Sequence, residues 1–287
     1  MIAILKHELR LYFHSPTAYV FGAFLLAIVG IGAMMYNLQA AVSNFEFVLS
    51  FASIIFVVIV PILTMRALAE ERKQKTDQLL YSLPVSTTQM VLGKFSSLLL
   101  VYLIPLCIVG FYPLIFSQYG EVYMLTSYGS LFAFFLLGGA LMAVGMFISS
   151  LTDNQGFAAG IGIAAILLNY FSVSLAEYVS ATAIGSAIAL FVLAALLGWV
   201  IRILTRNDTL GYGAGLGLMG ITVALYLIDE TKFEGLLPDI MKKLSLFDRL
   251  DTFVNGVFDL TAVVYFLSVG AFFLFLTVQS LEKRRYN

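Results

Sequence analysis

The sequence predicts an all-α polytopic membrane bundle of about eight transmembrane helices, and three observations support this fold class. Of the 287 residues, 61% are hydrophobic and only 11% are charged, and the mean hydropathy is +0.96. Water-soluble domains contain about 45–50% apolar and about 25% charged residues, so an ordinary globular protein is excluded. The apolar residues fall in runs of about 20, the length at which a helix crosses a bilayer. The single cysteine, Cys107, excludes intramolecular disulfides and CxxC sites.

Eight apolar runs are candidate transmembrane spans. The two runs after residue 181 are joined by a very short connection, so they could instead form one re-entrant feature, which leaves six spans. The runs contain no internal Asp, Glu or Lys. Ion-driven carriers keep ionisable side chains at membrane depth, so this absence argues against an ion-coupled carrier. The eight runs are 17–36, 47–65, 95–117, 126–150, 156–175, 182–203, 209–228 and 261–281.

The distribution of basic residues predicts that both termini are cytoplasmic. With the N-terminus inside, twelve of the sixteen Lys and Arg residues lie on the inner side. The other four, Lys232, Lys242, Lys243 and Arg249, all lie in the outer segment 229–260. That segment is amphipathic, because five apolar residues in it follow helical spacing. These residues are Phe247, Leu250, Val254, Val257 and Phe258.

Residues 1–14 are expected to form a helix in the membrane interface, with a frayed cytoplasmic tail as the alternative. Five apolar residues share one face of this helix and three basic residues share the other. The Ser15-Pro16 pair is then expected to begin the first span. The apolar residues are Ile2, Leu5, Leu9, Tyr12 and Phe13, and the basic residues are Lys6, Arg10 and His14.

The cytoplasmic loop 67–92 is the most charged part of the chain and supplies the candidate site. Its first residues extend the second span as a polar helix, and three leucines then form a small apolar face on a short transverse helix. Ser86 with Gln89 predicts a capping box at the start of the third span. A solvated loop and a docking element for a cytoplasmic partner remain two open interpretations. The candidate residues are Glu70, Glu71, Thr76, Gln78, Leu79, Leu80, Leu83 and Pro84.

Catalytic activity is not expected, and neither is a cofactor or a bound metal. Gly93-Lys94 superficially resembles the end of a phosphate-binding loop, but Thr88 replaces its first glycine and Phe95 its magnesium-binding hydroxyl. An intramembrane enzyme would need converging His, Asp, Glu or Cys residues within the spans, and the sequence offers none. Any ATP is therefore expected to be handled by a partner.

Glycines at GxxxG spacing are expected to allow close helix packing, within the chain as the preferred interpretation and between two paired chains as the alternative. They are Gly156 and Gly160, followed by Gly211, Gly213, Gly215 and Gly217.

The loop resembles the signature of the ABC-2 type exporter permeases, E-x-x-x-G-T-x-E-x-L-L-x-x-P-V-S followed by the third span. Two positions depart from it, since Lys75 stands where glycine is usual and Gln78 where glutamate is usual. Four further segments resemble the gliding-motility-type branch of that superfamily. They are HELRLYFHSPTAYV near the start, SLTDNQ at 150–155, LSLFDRLDTFVNGVFDL at 244–260 and FLTVQSLEKRRYN at the end.

The resemblance implies a single ABC-2 type transmembrane domain over residues 1–287, with the transverse helix as its coupling helix. It implies an ATP-driven exporter subunit of the bacterial inner membrane, which rests on two ABC ATPase subunits and pairs with a second permease copy or a paralogue. The lipid bilayer is expected to surround it, an extracytoplasmic accessory protein is a further candidate partner, and no nucleic acid is expected. The alternative function is a subunit that uses the same ATPase coupling to transmit force to an outer assembly, without moving a soluble cargo.

Overall fold

The computed structural model describes residues 1–74, 85–179, 181–205 and 207–285, and the regular elements in these ranges are all helices. The segment 75–84, which contains most of the predicted transverse helix, lies outside the described residues. The α-helices are α1 (Ile2–His14), α2 (Thr17–Ala33), α3 (Glu46–Ser53), α4 (Phe56–Thr64), α5 (Arg66–Lys73), α6 (Thr87–Val109), α7 (Tyr112–Phe116), α8 (Met124–Leu151), α9 (Gln155–Tyr178), α10 (Ala183–Thr205), α11 (Asp208–Ile228), α12 (Leu236–Leu244), α13 (Leu246–Val254) and α14 (Leu260–Arg285).

The polytopic all-helical bundle predicted from composition is confirmed. Among the described helices, six are long and apolar enough to cross a membrane. A bent pair, Glu46–Ser53 and Phe56–Lys73, turns by 61° and makes a seventh if it counts as one span. The predicted span 182–203 falls on α10, in which the described apolar stretch is Ala183–Trp199.

The chain packs as two compact units. The first comprises Met1–Tyr170 together with Arg249–Asn287, and the second comprises Phe171–Asp248.

Tyr102 of α6 lies at the centre of the first unit and is completely buried. Its ring makes edge contacts with Phe21 of α2 and Phe56 of α4, and its hydroxyl donates a 2.8 Å hydrogen bond to the carbonyl of Phe134 in α8. Gly138 lies beneath the ring, where an added Cβ would come within 2.6 Å of Tyr102 Cε1. The four helices α2, α4, α6 and α8 therefore pack on one aromatic residue.

Several polar contacts between helices of the first unit lie at its two ends, away from this aromatic middle. At one end, called here the inner end, the start of α2 contacts α5, and α1 and α5 contact the start of α6. At the other end, the buried carboxylate of Glu46 accepts hydrogen bonds from Asn44 and Ser127, and Ser50 donates to Asp251. The helices thus alternate in direction as the predicted spans require.

In the second unit, α10 and α11 form an antiparallel hairpin whose backbones approach closely. A Cβ added at Gly198 would lie 2.6 Å from Gly215 Cα, and one added at Gly211 would collide with Arg202. The intrachain packing role predicted for Gly211 and Gly215 is therefore confirmed. At Gly160, Gly213 and Gly217 an added Cβ would meet no described atom within 4 Å, so close intrachain packing is not found at these three.

The outer segment 229–260 is helical over α12 and α13, but the predicted amphipathic face ends early. Phe247, Leu250 and Val254 are buried, whereas Val257 and Phe258 are exposed. The cause is Gly256, whose φ of +82° lies in the left-handed region and stops α13 after Val254.

We expect Gly138→Ala to destabilise the protein, because the new methyl group must displace the Tyr102 ring. Overpacking a core costs about 1–3 kcal/mol. The matched control is Gly160→Ala, where the methyl group meets open space and only the better helix propensity of alanine acts. Thermal unfolding in detergent should show a lower midpoint for Gly138→Ala only. Equal midpoints for the two variants would contradict the packing described for Tyr102.

Candidate functional site

The structure describes two of the eight predicted site residues, Glu70 and Glu71, in the last turns of α5. Both carboxylates form ion pairs within the chain. The remaining six lie outside the described residues, so their grouping on one helix face stays a prediction. They are Thr76, Gln78, Leu79, Leu80, Leu83 and Pro84.

Glu71 belongs to a buried cluster of three charges centred on Lys94, called here the Lys94 triad. The Lys94 Nζ lies 2.6 Å from Glu71 Oε1 and 2.7 Å from Glu8 Oε1. Only 2% of the lysine side chain is exposed, against 9% of Glu8 and 21% of Glu71. Because each residue comes from a different helix, the triad joins α1, α5 and α6 at the inner end.

Lys94 lies about two turns inside α6, which corrects the sequence prediction that placed it just before the third span. The helix begins early because Ser86 caps it, with its side chain accepting the backbone N–H of Gln89, as the capping box predicted. The span Thr87–Phe116 therefore contains an internal lysine. A buried ammonium group is costly unless it is paired, and the two carboxylates supply that pairing.

Glu70 forms a second ion pair at the inner end, with Arg66 one turn before it on α5. The guanidinium donates two hydrogen bonds to the carboxylate, of 2.6 Å from Nε and 2.9 Å from Nη2. Its Nη1 also donates to Thr17 Oγ1 at 2.9 Å, which connects α5 to the first turn of α2. The two neighbouring glutamates thus connect α5 to different helices.

The N-terminal helix α1 is held against the bundle through buried side chains, whereas its predicted basic face is exposed. Glu8 and Tyr12 are buried, while Lys6 and Arg10 are exposed. Burial and the nearby carboxylate of Glu8 raise the pKa of the Tyr12 hydroxyl, so this group stays protonated. Ser15 does not cap the first span as predicted, because its hydroxyl donates to the carbonyl of Tyr12, and α2 begins at Thr17.

A cavity of about 820 Å³ lies between α1 and α5 and reaches the Lys94 triad. Its described lining is mainly apolar, with Leu11 and Ala67 among the contributors. Gln74 and Val85, the residues on either side of the segment 75–84, both contribute to the lining. Within the described ranges, no three His, Cys, Asp or Glu residues come together as a metal site.

Sequence reasoning identified the loop but missed Lys94 and Glu8, the two most buried members of the triad. Glu8 was overlooked because it interrupts neither face of the predicted interfacial helix. A usable signal existed for Lys94, since a lysine two turns after a capping box cannot lie at the helix end. Its carboxylate partners, which come from distant parts of the sequence, could not be identified from spacing.

We expect Lys94→Met to destabilise the protein by about 3–5 kcal/mol, because two buried carboxylates lose their counter-ion. Adding Glu8→Gln and Glu71→Gln to the same chain should recover most of this loss, since the neutral side chains need no counter-ion. The control is Arg202→Met, which breaks a more exposed ion pair with Asp208 and should cost at most about 1 kcal/mol. Unfolding midpoints in detergent measure all three, and a harmless Lys94→Met would contradict the triad.

Comparison with protein-family models gives one match. Residues 35–228 match the model described as ABC-2 family transporter protein, from the end of the first span to the last residue of α11. This match covers more than half of the 287 residues. No curated protein matches the chain. With several apolar helices of membrane-spanning length, the chain is a multi-pass membrane protein, and it belongs to the ABC-2 family of transporter proteins as a transport membrane subunit.

Proposed function

We propose that this subunit is driven by a separate ABC ATPase that docks on the cytoplasmic segment 75–84. Subunits of this family typically work with an ABC ATPase. The observation that supports docking at this segment is the Lys94 triad, because it joins α5, which precedes the segment, to α6, which follows it. Both ends of the segment therefore start from helices that are connected to each other by a buried ion pair.

This arrangement suits the transmission of force. A push on a loop with independent ends would be absorbed by movement of one end relative to the other. Here the ends are coupled through Glu71 and Lys94, and α1 is coupled to them through Glu8. A displacement of the segment therefore moves three helices together, which is what a rigid-body change between two states of the bundle requires.

The finer features of the proposed function come from the resemblance. They are two ATPase subunits, a second permease copy or paralogue, transport in the export direction, and one ABC-2 type transmembrane domain over 1–287. The gliding-motility-type branch is proposed from the four segments that resemble it. We also propose the bacterial inner membrane as the location, with both termini cytoplasmic, α1 in the interface and 229–260 outside, where an accessory protein could bind.

Family membership favours a transport subunit over the alternative in which force reaches an outer assembly without any cargo. The described residues provide no observation that favours the alternative.

We expect Leu80→Asp to abolish docking of the ATPase while the spans still insert. The leucines at 79, 80 and 83 are the proposed apolar anchors, and a carboxylate among them would be desolvated without a partner. Leu80→Met keeps an apolar side chain of similar volume and is the matched control. The measurement is co-purification of the ATPase at equal membrane levels of each variant. Undiminished co-purification with Leu80→Asp would show that docking occurs elsewhere.

Single cysteines should test the proposed sidedness in a chain whose native Cys107 is replaced by serine. Lys73 and Asn255 are both exposed and lie at opposite ends of the first unit. A membrane-impermeant maleimide should label Asn255→Cys in intact cells, and Lys73→Cys only after the membrane is opened, because the basic residues predict Lys73 inside. Labelling of both in intact cells would refute the topology.

A further inference from the structure

Ser149, near the end of α8, makes three hydrogen bonds to the junction between α4 and α5. Its Oγ accepts the backbone N–H groups of Leu68, at 3.2 Å, and Ala69, at 3.1 Å. Its hydroxyl donates to the carbonyl of Met65 at 3.0 Å. Met65 is the single residue between the two helices, and Ser149 is completely buried. These three contacts are called here the Ser149 bridge.

The Ser149 bridge replaces the side-chain N-cap that α5 lacks. The first N–H groups of a helix have no partner within it, and a Ser, Thr, Asp or Asn side chain at the N-cap usually accepts one of them. Met65, at the N-cap of α5, has no such side chain. The cap is supplied instead by another helix, so α8 contributes directly to the first turn of α5.

The position of the bridge also marks a joint. The regular helix is interrupted at Met65, the one residue between α4 and α5. Ser149 contacts the carbonyl of this residue and the N–H of Ala69 in the first turn of α5. The break between α4 and α5 is therefore the position at which α8 binds.

A second contact of α8 lies on the other side of this joint. Gly145, one turn before Ser149, packs against Thr64 so closely that a Cβ at Gly145 would collide with the Thr64 hydroxyl. Residues 145 and 149 share a helix face. α8 therefore contacts the joint before Met65 through Gly145 and after it through Ser149.

We propose that Ser149 is a positioning residue that makes α5 move together with α8 when ATPase action displaces the loop after α5. This inference rests on the proposed function. Without the bridge, displacement of α5 would be absorbed by bending at Met65 and would not reach α8. With it, the displacement passes to α8, which contacts the buried Tyr102 through Phe134.

The neighbouring Ser150 offers a matched control. It is also completely buried on α8, but its hydroxyl has no hydrogen-bond partner in the described part of the chain. Ser149→Ala and Ser150→Ala thus delete the same atom from adjacent buried positions, and only the first deletion breaks the bridge. Spin labels at Lys73→Cys and Leu151→Cys, both exposed, measure the distance between α5 and α8 in a chain with Cys107→Ser.

The experiment compares the label distance in the purified subunit alone, and in the complex with its ATPase before and after trapping with ATP and vanadate. We expect an unchanged distance on trapping for the wild-type sequence and for Ser150→Ala. Ser149→Ala should give a broader distribution in the subunit alone and a shifted distance on trapping, with reduced stimulation of ATP hydrolysis at equal complex levels.

Several results would overturn the inference. A Ser149→Ala distribution identical to that of Ser150→Ala, in the subunit alone and after trapping, would show that the bridge does not position α5. A wild-type distance that shifts on trapping would show that α5 and α8 do not move together. Failure of the wild-type subunit to retain any ABC ATPase would instead refute the proposed function, while the comparison in the subunit alone still tests the bridge.

Discussion

A buried lysine needs a counter-ion, and this need organises the inner end of the first unit. Lys94 lies on an apolar helix with almost no solvent contact, so a carboxylate must reach it from elsewhere in the chain. Glu8 and Glu71 do so from different helices, and both must stay in place for the charge to remain satisfied. α1 is thereby part of the bundle rather than only a helix resting on its surface. A single charged side chain thus fixes the relative positions of three helices.

Hydrogen bonds between helices lie next to the triad. Arg66 of α5 donates to Thr17 of α2, and the buried Ser149 of α8 accepts from the first turn of α5. In the middle of the unit, by contrast, Tyr102 and its aromatic neighbours are held by close packing of their rings and by one hydrogen bond. The inner end is thus held by ion pairs and hydrogen bonds, and the middle by close packing. We expect a displacement of the inner end to be transmitted to the rest of the unit through these side chains.

Much of the fold could be predicted from the sequence, because a long apolar run in a membrane must satisfy its own backbone hydrogen bonds, and a helix does so. The capping box at Ser86 was equally readable, since it depends on residues three positions apart. Contacts between residues that are far apart in the sequence could not be predicted. Neither the Glu8 partner of Lys94 nor the Ser149 cap on α5 has a local pattern, because each joins residues about eighty positions apart. The predicted span 47–65 is broken by a 61° bend after Ser53, which its continuous apolar run does not signal.

Two contacts fix where the C-terminal part of the chain joins the first unit. Ser130 of α8 binds the carbonyl of Phe253, so the returning chain enters the first unit at its outer end. Arg284, near the end of α14, donates to the carbonyl of Leu151, so the C-terminal helix finishes at the inner end, where α1 also lies. The described N-terminal helix and the end of α14 therefore lie at the same end of the first unit, although about 270 residues separate them in the sequence.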